Sequence, residues 1–143
     1  MAVASVCSLL AGLIFGLGWL LWIDAHAYAA TNYGQTPDGT YWIPGILQTI
    51  GLLMLNVITW EAVADSDSLM EDRSASIAKL WVFVAFCFSF GGILGSIWIL
   101  VKENHDPSWE AGSVAAAVKL LLMNLMIFFS SLMFRLSRTK SDA

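Results

Sequence analysis

"IAKLWVFVAFCFSFGGILGSIWILV", residues 77–101, carries a single charged side chain, Lys79, along its whole length. An α-helix rises 1.5 Å per residue, so about 20 apolar residues cross the roughly 30 Å of hydrocarbon in a bilayer. The run is long enough, and it lacks the apolar–polar alternation of a barrel strand. Hydrocarbon offers backbone N–H and C=O groups no partners, which leaves a membrane-spanning helix as the reading that satisfies them. Within it Ala85, Ser89, Gly92 and Ser96 recur at spacings of three or four. They share one face, on which another backbone can approach closely.

Three further runs of this kind lie on either side: Val3 to Ile23, Trp42 to Trp60 and Val114 to Phe134. The chain of 143 residues is 58% hydrophobic and 13% charged, against about 25% charged in a soluble domain. The expected fold is an all-α integral membrane protein, a single-domain four-transmembrane-helix bundle over residues 1–143. Its helices are expected at about 3–23, 42–60, 77–101 and 107–136. The fourth begins early because Asp106 can cap a helix whose first position is Pro107. From there to Leu136 it would measure about 45 Å, so it should tilt or project. Ala25-His26-Ala27 resembles a signal-cleavage site, yet no Lys or Arg precedes the first apolar run, and that run is expected to be a retained helix.

Four spans place both termini on one side. That side would hold Arg73, Lys79, Arg135, Arg138 and Lys140, against Lys102 and the slightly embedded Lys119 on the other. The excess of basic residues predicts that both termini are cytosolic. Trp22, Tyr28, Tyr41, Trp42, Trp98 and Trp109 would ring the opposite interface, with Trp60 and Trp81 on the cytosolic one. Asp24 then falls at the outer end of the first helix, at headgroup depth. The net charge of −4 and the absence of a long basic run exclude a nucleic-acid partner.

Lipid is as apolar as Leu, so association between these helices depends on close packing and interhelical hydrogen bonds. Ser5, Ser8, Gly12 and Gly16 form a small-residue stripe on the first helix. Together with the stripe on the third it is the expected bundle interior. The second helix has a polar seam of Gln48, Asn56 and Thr59. An unpaired amide in hydrocarbon costs several kcal/mol, so Asn56 should face protein, either helix three or a partner subunit. Structural glue accounts for the seam more simply than a conduction pathway. Lys119 lies inside the fourth helix, where ionisable groups are functional candidates. It can instead snorkel outward or pair with Asp24, Glu103 or Glu110.

Little here resembles catalytic chemistry. Asp24, His26, His105, Asp106 and Glu110 share one predicted face, but no His pair has the i, i+4 spacing of helical metal sites. No nucleophile has a suitable base, and Gly16-Leu17-Gly18 has no preceding strand to make a phosphate loop. No enzymatic activity, metal or cofactor is expected. The acidic connection "EAVADSDSLMEDRSAS", residues 61–76, is a solvated connector or a docking and phosphorylation segment. Cys7 and Cys87 sit inside spans, where a thiol acts as a small apolar group.

"GLGWLLWIDA" at the end of the first helix, "LLMLN" in the second, "KLWVFVAFCFSFGGILGSIWIL" through the third and "NLMIFFSSLMFRLSRTK" in the fourth resemble the transmembrane protein 50 family, whose yeast member is vacuolar protein sorting protein 68. The resemblance touches all four spans in order. It implies a small non-enzymatic protein of endosomal and secretory-pathway membranes that acts in vacuolar or lysosomal sorting. It also implies another small multi-span membrane protein as partner, of the vacuolar sorting protein 55 or leptin-receptor-overlapping type. Asp24, Asn56, Trp81, Trp98 and Asn124 match family positions, whereas Lys119 replaces an apolar residue. On this resemblance little of the segment that family members carry before the first helix is expected in this sequence. The alternatives are an accessory subunit of a larger energy-converting or protein-handling membrane assembly and, more remotely, a small transporter using Asp24, Lys119 and Asn56.

Overall fold

A computed structural model describes residues 2–34, 36–58, 72–105 and 111–139. The described chain is all-helical: α1 (Ala2–Tyr33), a 3₁₀ turn (Gly39–Tyr41), α2 (Trp42–Val57), α3 (Asp72–His105) and α4 (Ala111–Thr139). Four helices are long and apolar enough to cross a membrane. The expectations placed on Thr59, Trp60, the connection at 61–71, Asp106, Pro107, Trp109, Glu110 and Lys140 lie outside the described residues.

α1, α3 and α4 outrun their apolar stretches, whereas α2 ends at Val57, short of the expected residue 60, with Ile58 already extended. α1 continues to Tyr33 rather than stopping at Ile23, because Ala25, Ala27, Ala29 and Ala30 are the strongest helix formers and no Gly or Pro intervenes. It ends where Gly34 takes φ +64° and its N–H bonds the Ala30 carbonyl at 3.1 Å. This is a left-handed turn that glycine adopts without steric cost. Asp24 is therefore inside the helix and not at its end. α3 likewise begins at Asp72 and runs to His105.

α2 is entered through a local cap. The Asp38 carboxylate accepts from the Thr40 N–H at 3.1 Å, and the 3₁₀ turn leads directly into Trp42. Pro44 is the third residue of α2, where a missing N–H forfeits no intrahelical bond. With 16 residues α2 alone is about 24 Å long, and the 3₁₀ turn that leads into it completes a 19-residue span, Gly39–Val57.

α1 packs along α4 and α2 along α3, while α4 also touches both α2 and α3. α4 is thus the shared wall of two helix pairs. Among the described residues α1 meets α2 chiefly at one end, where Trp19, Trp22 and His26 pack against Trp42 at centroid separations of 6.1, 5.9 and 5.0 Å. This is the Asp24 end of the bundle, and the opposite one is the Arg135 end.

The distribution of polarity is inverted relative to a soluble bundle. Leu9, Leu13, Leu17 and Leu20 on α1 and Phe83, Phe90 and Leu94 on α3 are uncovered by protein, whereas Gln48, Ser89, Ser96 and Asn124 are fully buried. With lipid as solvent the apolar side chains gain nothing by facing inward. Small and polar ones gain close contact and hydrogen bonds.

Candidate functional site

Three groups of side chains use the polar residues of the spans. The first is a node at mid-bundle where α2, α3 and α4 meet. A Cβ added to Gly92 would lie 2.7 Å from Gln48 Oε1, 2.8 Å from the Pro44 carbonyl oxygen and 3.1 Å from Asn124 Oδ1. Only a residue without a side chain fits where three oxygens approach one backbone. One turn further along α3, Ser89 and the Ala85 carbonyl approach Gly51 of α2 in the same way. The stripe of Ala85, Ser89, Gly92 and Ser96 is thus lodged inside the bundle, where Ser96 Oγ donates to the Ile93 carbonyl at 2.7 Å. Asn124 Nδ2 donates to the Leu120 carbonyl of its own helix at 2.9 Å.

The second group lies at the Asp24 end. Lys119 Nζ of α4 stands 2.6 Å from Asp24 Oδ2 of α1 and 4.8 Å from the centroid of the Tyr28 ring. Lys119 is 23% exposed and Asp24 64%, so the pair sits at the bundle edge and not in a buried channel. The antiparallel pairing of α1 with α4 brings the two residues together. Glu103, another candidate for Lys119, instead accepts a hydrogen bond from the Tyr41 hydroxyl. Among the described residues no three His, Cys, Asp or Glu side chains gather as metal ligands, and Cys7 and Cys87 are free thiols.

The third group, at the Arg135 end, was not foreseen. α2 ends with Ile58 in extended conformation and with no basic residue in its last turn. Its terminal carbonyls receive donors from other helices. Arg135 Nη1 donates to the carbonyls of Leu55 and Ile58, Arg138 Nη1 to that of Asn56, and Trp81 Nε1 to that of Met54 at 2.9 Å. Basic groups at a helix C-terminus answer both its unpaired carbonyls and its dipole. In the sequence Arg135 and Arg138 speak only to which side the termini face; the signal for more is the lack of a basic residue in the last turn of α2.

Two expectations need correcting. Gly12 and Gly16 are not in the interior: a Cβ on either would meet nothing within 4 Å. The face of α1 that packs on α4 is offset from them and runs through Ala11, Gly18, Trp22, Ala25 and Ala29. At Ala11 the carbonyl accepts from Ser130 Oγ at 2.7 Å, and at Gly18 the backbone nears that of Met123. Asn56 does turn its side-chain Oδ1 into protein, but its Nδ2 donates to the Leu52 carbonyl of its own helix at 2.8 Å rather than across to α3.

Comparison with known proteins extends over the length of the sequence. Residues 1–143 match the family model described as "Uncharacterised protein family (UPF0220)". The transmembrane protein 50 homolog of Dictyostelium discoideum is 35% identical over 140 residues, covering 93% of this chain and 89% of that protein. A UPF0220 protein of Schizosaccharomyces pombe is 26% identical over 124 residues, covering 85% of this chain and 73% of its own length. No solved structure matches it significantly. With four apolar helices in the same chain that these relatives cover almost from end to end, the protein belongs to the transmembrane protein 50 (UPF0220) family.

Proposed function

We propose that the protein is a non-enzymatic subunit of a membrane complex in endosomal and vacuolar sorting, with both termini in the cytosol. Its partner on this reading is another small multi-span membrane protein, of the vacuolar sorting protein 55 or leptin-receptor-overlapping type. The carrying observation is the uncovered face of α1. Gly12 and Gly16 leave two backbone positions on it open, with no atom within 4 Å of a would-be Cβ, flanked by uncovered Leu9, Leu13 and Leu20. Close backbone approach is what small residues contribute to helix association in lipid. Lys119 is not assigned a role in transport on this reading, because its ion pair sits at the bundle edge.

Affinity purification of the full chain in mild detergent tests the proposal. A stoichiometric multi-span partner is expected with the unmodified protein and is lost with Gly16→Phe, while the thermal unfolding midpoint of the isolated chain stays unchanged. A strictly monomeric protein, or normal cargo sorting in cells lacking it, would exclude the reading. Capture of a large energy-converting or protein-handling assembly instead would favour an accessory structural role there. Protease access to terminal tags in sealed vesicles checks the cytosolic placement.

A further inference from the structure

At the node where α2, α3 and α4 meet, fully buried side chains carry unpaired hydrogen-bonding groups. Gln48 Oε1 and Nε2, Asn124 Oδ1 and Ser89 Oγ have no hydrogen-bond partner among the described residues, although all three residues are 0% exposed. Hydrocarbon offers them none. The node is also remote from the connections between helices: Gln48 stands about 14 Å along the axis from the end of α2, and Asn124 about 20 Å from the start of α4. At that depth a partner comes from the node itself or from a small molecule inside the bundle.

The orientation of the Asn124 amide is fixed, because its Nδ2 donates to the Leu120 carbonyl at 2.9 Å. Its Oδ1 is then the atom that approaches Gly92. Gln48 Oε1 approaches the same place: the two oxygens lie 3.1 and 2.7 Å from where a Cβ of Gly92 would stand, with the Pro44 carbonyl oxygen at 2.8 Å. Two side-chain acceptors from different helices thus stand within about 6 Å of each other, a separation that one water donating to both can span. Neither has a donor from the protein. Buried waters typically make about three hydrogen bonds, to polar groups that are otherwise unsatisfied. Ser89 Oγ, which reaches α2 at Gly51 one turn away, and Gln48 Nε2 are the donors without acceptors in the node. The lone pairs of such a water can accept from them.

We infer that the node is a binding site for water: one molecule, held at the level of Gly92, donates to Gln48 Oε1 and Asn124 Oδ1 and so joins α2 to α4 across the backbone of α3. The inference goes beyond the sorting role and does not rest on it. The residues of the node come from α2, α3 and α4, so the water ties those three helices together. α1 packs on α4 separately, along Ala11, Gly18 and Trp22.

Water-edited solid-state NMR of the full chain in perdeuterated lipid bilayers reads the site directly. Glutamine, asparagine and methionine are isotopically labelled, and the side-chain amide signals of Gln48 and Asn124 are identified by their disappearance in Gln48→Met and Asn124→Leu. Both amides are expected to receive magnetisation from water, while the backbone N–H of the equally buried Met123 receives none. In Asn124→Leu the Gln48 signal should lose that transfer, because the bridge has lost one end. Should that variant not keep its helical circular dichroism, the two signals of the unmodified protein decide. Either amide as dry as Met123 would overturn the inference, as would undiminished transfer to Gln48 in a folded Asn124→Leu. So would a hydrogen-bond coupling from Gln48 Nε2 to the Asn124 carboxamide, the mark of two side chains paired directly.

Discussion

Gly91 and Gly92 are neighbours in sequence with opposite expectations. A Cβ on Gly91 meets nothing within 4 Å, whereas one on Gly92 presses into three oxygens, one of them the Pro44 backbone carbonyl. Gly91→Ala should stabilise the protein by about 0.5–1 kcal/mol through helix propensity. Gly92→Ala should destabilise it by about 1–3 kcal/mol through overpacking. Reversible unfolding in detergent, followed by circular dichroism, gives both signs. At the bundle edge, Lys119 and Asp24 form an exposed ion pair, and such pairs contribute about 0–1 kcal/mol. A double-mutant cycle of Lys119→Met with Asp24→Asn should return a coupling within that range, and raising the salt concentration should shrink it. That Lys119 would seek an acid was readable from its depth in an apolar run. Which acid was not, because the choice among Asp24, Glu103 and Glu110 depends on the register of α1 against α4 and on Tyr41 taking Glu103.

Existence and type of each helix were legible because apolar run length speaks directly to the bilayer. Where each helix ends was not, since hydropathy marks the edge of lipid and capping marks the edge of a helix. α1 shows the difference: the apolar run ends at Ile23 and the helix at Tyr33, just before Gly34. The small-residue rule succeeded on α3 and misplaced α1 for a related reason. Spacing shows that Ser5, Ser8, Gly12 and Gly16 share a face, but not whether the occupant of that face lies in the same chain. The end of α2 is the least legible of all, because its capping groups come from Trp81, Arg135 and Arg138, 27 to 82 residues from the carbonyls they reach. Replacing Arg135 with Met should leave two carbonyls without their donor, at about 1–3 kcal/mol for each buried acceptor left unpaired. Hydrogen exchange should then quicken in the last turn of α2 and not in α1. Arg135→Lys should restore only part of the protection, since an ammonium lacks the fork that reaches two acceptors.

Over the whole molecule, the first helix finds its principal neighbour in the last one, and α4 in turn supports the other pair. Synthesis delivers α1 long before α4, and at roughly 5–20 residues per second several seconds separate them. During that interval the newborn α1 waits in the lipid without the seam formed by Ala11, Trp22 and Ala25. A chain halted after α3 should therefore be recognised as unfinished and degraded, with a markedly shorter half-life in a pulse-chase experiment than the complete chain. The final span works as a keystone: until it leaves the ribosome, three inserted segments have no common support, and a premature stop near the 3′ end of the message costs the cell the entire protein.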